Sequence, residues 1–229
     1  MLKARDLTLA YGGSVIIPGL DFEAGTGAVT AVMGLNGVGK TSLLAALAGR
    51  HPSGGTVSLG GKALPGGARS RARAGIAYVP QGREIFPLLT VQENLETGFA
   101  CLPRSERRVP EEVFELFPVL REMRARRGGD LSGGQQQQLA IGRALVARPA
   151  ALLLDEPTEG IQPSIIAEIG RVIERLRAEG RMAIVLVEQR FDFAWRLADR
   201  IVAMRRGSIV HDAPKARTDR QALLGLVSV

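Results

Sequence analysis

The sequence predicts an α/β fold in which a parallel sheet is covered by helices on both faces. Three observations predict it. Val29–Met33, Ala74–Val79, Ala150–Leu154 and Met182–Val187 are short apolar runs with the length of strands buried on both faces. Helical periods alternate with them, most clearly at Ser164–Glu179, where Ile165, Ile169, Val172, Ile173 and Leu176 share one face. A glycine-rich turn, Gly34–Thr41, joins the first of those strands to a small-residue helical run, Ser42–Gly49.

The remaining elements follow in chain order. Leu2–Ala10 reads as a strand. Thr56–Leu59 and Lys62–Leu64 flank Gly60-Gly61 and read as a hairpin, because two adjacent glycines accept the positive φ angles of a tight turn. From about Gly82 to Leu139 the chain changes character, with helical periods at Val91–Phe99, Pro110–Phe117 and Val119–Arg126. This stretch reads as a helical insertion. A helix at Gly134–Ala147 precedes the strand Ala150–Leu154. A helix at Phe191–Ala198, strands at Arg200–Met204 and Ser208–His211 around the Arg206-Gly207 turn, and a short helix near Asp219–Leu226 complete the chain. No internal repeat or low-complexity segment is present in the sequence.

Composition bounds the function. The 229 residues are 45% hydrophobic, enough for one core or a core plus a small lobe. Aromatics are 4%, so Leu, Val, Ile and Ala carry the packing. Lys+Arg 30 against Asp+Glu 23 gives +7, a balance that suits nucleic acid or an anionic membrane surface. No basic block is interleaved with aromatics, which favours solvated arginine faces. Only Lys3, Lys40, Lys62 and Lys215 are lysines. Cys101 is the single cysteine, so no internal disulfide or cysteine metal cluster can form. The N-terminus has no apolar signal-peptide region, and no apolar run reaches the roughly 18–20 residues that span a bilayer. The expected location is the cytoplasm, with any membrane role exercised through a partner.

Three segments carry the chemistry. Gly34-Leu-Asn-Gly-Val-Gly-Lys-Thr41 fits G-x-x-x-x-G-K-[ST] between a strand and a helix. Gly34, Gly37 and Gly39 let the backbone curl so that successive N–H groups face a phosphate, and the helix start adds its positive end. Asn36 and Ser42 flank this cradle, Lys40 reaches the β- and γ-phosphates, and Thr41 offers a hydroxyl to Mg²⁺. A chance glycine-rich turn is the alternative, disfavoured by the flanking strand and helix. Leu152–Glu156 is an apolar strand ending in two carboxylates, where α/β sheets bind ligands. Asp155 suits the Mg²⁺ shell, and Glu156, one residue further out, suits polarising a water. The alternative is a strand that exits into solvent. In Leu131-Ser-Gly-Gly-Gln135, Ser132 is a natural N-cap, and Gly133, Gly134 and Gln135 open a second anion-binding helix start. An isolated helix cap is the alternative there.

With these motifs the chain resembles the ATP-binding cassette (ABC) ATPase family over essentially its whole length. Gly34–Thr41 is the Walker A motif, Leu131–Gln135 the signature and Leu152–Glu156 the Walker B motif. The resemblance implies a phosphate-loop NTPase, with a RecA-like core and an antiparallel β subdomain from 1–81 and 148–229. It places an inserted α-helical subdomain at 82–147. It implies ATP and Mg²⁺ as ligands and a head-to-tail dimer, in which each ATP lies between one subunit's Walker motifs and the other's Ser132 segment. Tyr11 sits where the family stacks an aromatic on adenine; an ordinary packing aromatic is the alternative. Gln81, in Tyr78-Val-Pro-Gln81, matches the Q-loop that contacts Mg²⁺ or water and faces the membrane partner; a solvated loop glutamine is the alternative. Leu89–Leu95 resembles the segment near the permease-docking surface.

The sequence departs from the family at two places. Gln189 stands where the family has a γ-phosphate-binding histidine, and an amide cannot become cationic. Slower hydrolysis is therefore expected at the site containing Gln189. Glu159-Gly-Ile-Gln162 replaces a D-loop that more commonly ends in Asp. Val187-Glu188-Gln189 resembles the ATPases of branched-chain amino acid and related importers. Glu156–Ile166 with Phe191-Asp-Phe193 resembles the smaller ATPase subunit of urea importers. This implies a second ATPase subunit, a heterodimer being favoured over a homodimer, together with permease subunits and, indirectly, an extracytoplasmic solute-binding protein. Importers of branched-chain amino acids or short amides are the alternative. A nucleic-acid-associated ABC ATPase would carry tandem cassettes or a long coiled coil, and neither is read here, so no nucleic-acid partner is expected.

Lys40→Ala is expected to abolish most ATP affinity in a fluorescent-nucleotide titration; unchanged affinity contradicts the phosphate-cradle reading.

Overall fold

The computed structural model describes residues 1–227. Strands β1 (Leu2–Tyr11) and β2 (Ser14–Ala24) form a long antiparallel pair, and β3 (Val29–Met33) leads through the glycine loop into helix α1 (Lys40–Leu47). Then come β4 (Gly54–Leu59), β5 (Lys62–Ala63), α2 (Ala68–Arg73) and β6 (Ile76–Val79). Helices α3 (Val91–Glu96), α4 (Glu111–Leu116), α5 (Pro118–Glu122) and α6 (Gly133–Val146) follow, joined by turns and short 3₁₀ segments. The chain closes with β7 (Ala151–Asp155), α7 (Pro163–Ala178), β8 (Ala183–Val187), α8 (Phe191–Leu197), β9 (Arg200–Arg205), β10 (Ser208–Pro214) and α9 (Arg220–Val227).

Two sheets result. One is antiparallel, in the order β2-β1-β4-β5; the other runs β10-β9-β3-β8-β7-β6, parallel from β9 to β6 with β10 antiparallel at its edge. The α/β expectation holds, and the added antiparallel sheet matches the implied β lobe. Period-2 alternation explains why the central strands are apolar throughout. Leu152, Leu154, Ile184 and Leu186 pack with the helices of one face, whereas Leu153, Val185 and Val187 pack with α1 and the antiparallel sheet on the other. A smaller cluster of Ala31, Met33, Ala194, Ile201 and Leu223 lies beneath α8 and α9.

One turn matches the sequence reading and several elements differ from it. The hairpin at Gly60-Gly61 forms, with Leu59 opposite Lys62. The strand Ser14–Ala24 and helix α2 carry no clean periodicity. Pro18 and Gly19 interrupt β2, whose pairing with β1 is broken by register shifts. The expected Val119–Arg126 helix ends at Glu122, because Arg127 turns to bridge Thr90. Helix α3 gives way to a 3₁₀ segment at Thr97–Cys101.

Phe22 is 1% exposed within the layer between the sheets. Phe22→Ala is expected to cost about 3–5 kcal/mol in urea unfolding. Val15→Ala, at a residue 65% exposed, should cost less than about 0.5 kcal/mol. Equal effects would contradict this packing.

Candidate active site

The carboxyl ends of β3, β7 and β8 lie side by side, with Val32 and Asp155 both in register with Val187. The loops leaving these strands therefore converge on one sheet edge. The first is the glycine loop. Gly34 has φ +148°, and a Cβ there would stand 2.4 Å from the Met204 carbonyl oxygen, so only glycine fits. Gly39, at φ +105°, is the N-cap of α1 and makes no side-chain cap bond, which leaves the helix start facing the loop's interior.

Lys40 is buried inside this loop, and its Nζ donates to the carbonyl oxygens of Gly34 at 2.8 Å and Leu35 at 2.9 Å. Burial lowers its pKa, opposed by the carboxylates of Glu156, Asp155 and Glu188. The loop thus presents a desolvated cation among backbone amides, the environment that suits a polyanion.

The second loop leaves β7. Asp155 is almost fully buried and accepts from Thr41 Oγ1 at 3.2 Å and from the Tyr78 hydroxyl at 3.0 Å. Burial pushes its carboxyl upward, while the hydrogen bonds from Tyr78 and Thr41 act to hold it down. Burial also pushes the Tyr78 phenol upward, so Tyr78 remains a donor. A hydroxyl beside a carboxylate is a hard oxygen set that fits Mg²⁺ sharing its shell with phosphate oxygens and water. Among the described residues no cluster of three or more His, Cys, Asp or Glu side chains could hold a metal by itself.

Glu156 follows with φ +46°, a left-handed conformation that costs a non-glycine residue of order 1–3 kcal/mol and that often marks functional sites. Its N–H donates to the Val187 carbonyl at 2.9 Å, which pins it to β8. From the loop after β8, Gln189 Nε2 donates to Glu156 Oε2 at 2.6 Å.

A cleft of about 420 Å³ brings together Asn36, Gly37, Gly39, Lys40, Thr41, Ser42, Gln81, Glu156 and Gln189. Gln81 is exposed at its rim and donates to Glu159 Oε2 at 2.9 Å. Asp155 lies beneath Thr41, and Gly34 forms the turn behind Lys40. The Ser132 segment and Tyr11 are not among the residues lining this cleft. Ser132 is exposed, caps α6 and forms a reciprocal capping box with Gln135, while Gly133 and Gly134 open the helix. Tyr11 is 45% exposed and meets the His51 ring edge-on at 4.2 Å.

The structure adds residues the motifs did not mark. Tyr78 could have been found from alternation along β6, which sets it on the α1 face of the sheet with its pairing partner Leu153. Glu188 carried the same signal as Asp155, an acid at the exit of an apolar strand. Thr158 and Ile16 carried no signal, since only the fold brings them to this edge.

A buried lysine in a glycine loop, a hydroxyl–carboxylate pair and a second strand-end carboxylate define a phosphate-loop protein built to hydrolyse a nucleoside triphosphate. The ABC transporter family profile matches residues 17–159. The high-affinity branched-chain amino acid transport ATP-binding protein BraG of Pseudomonas aeruginosa is 41% identical over 220 residues, covering 94% of each chain. An Fe(3+) ions import ATP-binding protein of Rhodococcus jostii is 35% identical over 210 residues, covering 91% of this chain but 60% of its own length. In fold, a nucleotide-free ATP-binding cassette from an ABC transporter superposes with TM-score 0.84 at 23% identity, covering 100% of this chain and 95% of that one. An ATP-binding subunit of an ABC transporter superposes with TM-score 0.82 at 25% identity, covering 100% and 95%. The chain belongs to the ABC transporter ATP-binding family and is an ATPase.

Gly34→Ala is expected to weaken ATP binding by about tenfold or more, because a displaced loop forfeits charge-assisted hydrogen bonds worth about 1.5–3 kcal/mol. Isothermal titration calorimetry with wild-type affinity would contradict this loop geometry.

Proposed function

We propose that the chain is the ATP-hydrolysing motor subunit of an importer for a small polar solute, urea being the leading candidate. The observation that carries the motor reading is the separation of two anion-binding helix starts. One, at Gly39–Lys40, opens into the cleft; the other begins at the exposed Ser132, continues through the half-buried Gly133, Gly134 and Gln135, and lines no part of it. Two such ends in one chain suit two nucleotides held between two subunits. Lys40 holds the β- and γ-phosphates, and Asn36, Gly37, Gly39 and Ser42 supply the surrounding cradle. Thr41 and Asp155 would hold Mg²⁺, with Gln81 at its rim, and the cation when bound neutralises phosphate charge. Glu156 polarises the attacking water, and Gln189 orients Glu156 and donates toward the γ-phosphate. Tyr11 would stack on adenine only by leaving His51.

The partner ATPase, in a heterodimer, supplies its signature segment to this cleft and receives Ser132, Gly133, Gly134 and Gln135 in return. In this reading residues 1–81 and 148–229 act as the nucleotide-binding unit, and 82–147 as the unit that moves against permease subunits. No helix among the described residues is long and apolar enough to cross a membrane, which supports attachment through those permeases at the inner membrane face. A solute-binding protein outside would deliver the solute.

Two observations bear on the solute. The segments Glu156–Ile166 and Phe191–Phe193 favour urea by resemblance, whereas the 41% relative favours branched-chain amino acids. Deleting the gene and measuring uptake of radiolabelled urea and leucine at low concentration separates them. Loss of urea uptake alone is expected; loss of leucine uptake alone moves the assignment to amino acids, and loss of neither removes both.

A further inference from the structure

From the contacts around Glu188 we infer that this residue is a positioning residue for hydrolysis, a buried carboxylate that ties the loop after β7 to the loop after β8. Glu188 is 2% exposed at the exit of β8, and its N–H donates to the Val32 carbonyl. Its side chain divides its two oxygens between two loops. Oε1 accepts from the backbone N–H of Thr158 at 3.2 Å and from the Thr158 hydroxyl. Oε2 accepts from the backbone N–H groups of Gln189 and Arg190, each at 3.0 Å. Four donors thus converge on one carboxylate, more than a side chain needs for satisfaction alone.

What this staple holds is the reacting pair. Thr158 lies two residues after Glu156 and immediately before the Glu159–Gln162 turn, and Gln189 lies one residue after Glu188. With both loops fixed to the same carboxylate, Gln189 Nε2 stays on Glu156 Oε2 at 2.6 Å. Gln189 carries no charge of its own to seek that partner, so its placement depends on the backbone that Glu188 grips. Burial pushes the Glu188 carboxyl upward, while the hydrogen bonds from Thr158, Arg190 and Gln189 act to hold it down. The inference rests on the assignment of Glu156 as the water-polarising residue.

The test is Glu188→Gln in the full chain, assayed with whatever partner ATPase copurifies, beside Glu156→Gln. A carboxamide keeps the shape but offers one acceptor, and its NH₂ must face N–H donors on one of the two loops. Turnover is expected to fall by at least about tenfold, the equivalent of one hydrogen bond's transition-state stabilisation. Affinity for a fluorescent ATP analogue should stay within about twofold, while the amide facing buried N–H donors should lower the thermal midpoint by a few degrees at most. Thr158→Val, which removes one of the four donors to Glu188 and leaves both of its acceptor oxygens, should lower turnover less, and adding it to Glu188→Gln should lower turnover little further. Normal turnover of Glu188→Gln with Glu156→Gln inactive overturns the inference alone; normal turnover of Glu156→Gln overturns the reading beneath it. Parallel loss of nucleotide affinity and thermal stability also overturns it, since that is the behaviour of a structural prop. If Glu188→Gln does not fold, unchanged turnover in Thr158→Val overturns it.

Discussion

The site depends on burying one ammonium group. Lys40 can lie inside the glycine loop only because Gly34 leaves no Cβ against Met204 and because the loop's own carbonyls accept its protons. An unpaired buried charge is costly, so the loop, the lysine and the carboxylates across the strand edge form a single electrostatic unit. The parallel register of β3, β8 and β7 brings those carboxylates to the same edge. The apolar layers on both faces of the sheet hold that register, which links the hydrophobic pattern of the chain to the placement of a few polar atoms.

Much of this was legible in the chain. The glycine loop, the strand-end acids and the capped helix at Ser132 each announce themselves through short-range rules, and the structure places the glycine loop and Glu156 on one cleft, with Asp155 beneath Thr41. The strand Ser14–Ala24 was not legible, because Pro18, Gly19 and broken register with β1 erase its alternation. The contacts of Tyr78 with Asp155 and of Thr158 with Glu188 span 77 and 30 positions, so no local pattern encodes them. Tyr11 shows the opposite limit. Its position suggests a stacking role, yet its ring meets His51 and lies apart from the residues that line the cleft.

Gln189 stands where the family resemblance implies a histidine, and under the proposed function this difference bears on how the strand-end loops are organised. A histidine could become cationic and be drawn to phosphate by charge, whereas an amide is held by hydrogen bonds alone. The 2.6 Å contact to Glu156 and the grip of Glu188 on the adjoining backbone supply that hold. The left-handed backbone at Glu156 belongs to the same arrangement, since its N–H is anchored to β8 while its side chain meets Gln189.

The most direct measurement is a crystal structure of the Glu156→Gln variant grown with ATP and Mg²⁺. The account predicts the β- and γ-phosphates inside the Gly34–Thr41 loop against Lys40 Nζ, with the cation between Thr41 Oγ1 and the Asp155 carboxylate. A nucleotide bound elsewhere, or a cation away from that pair, would contradict it.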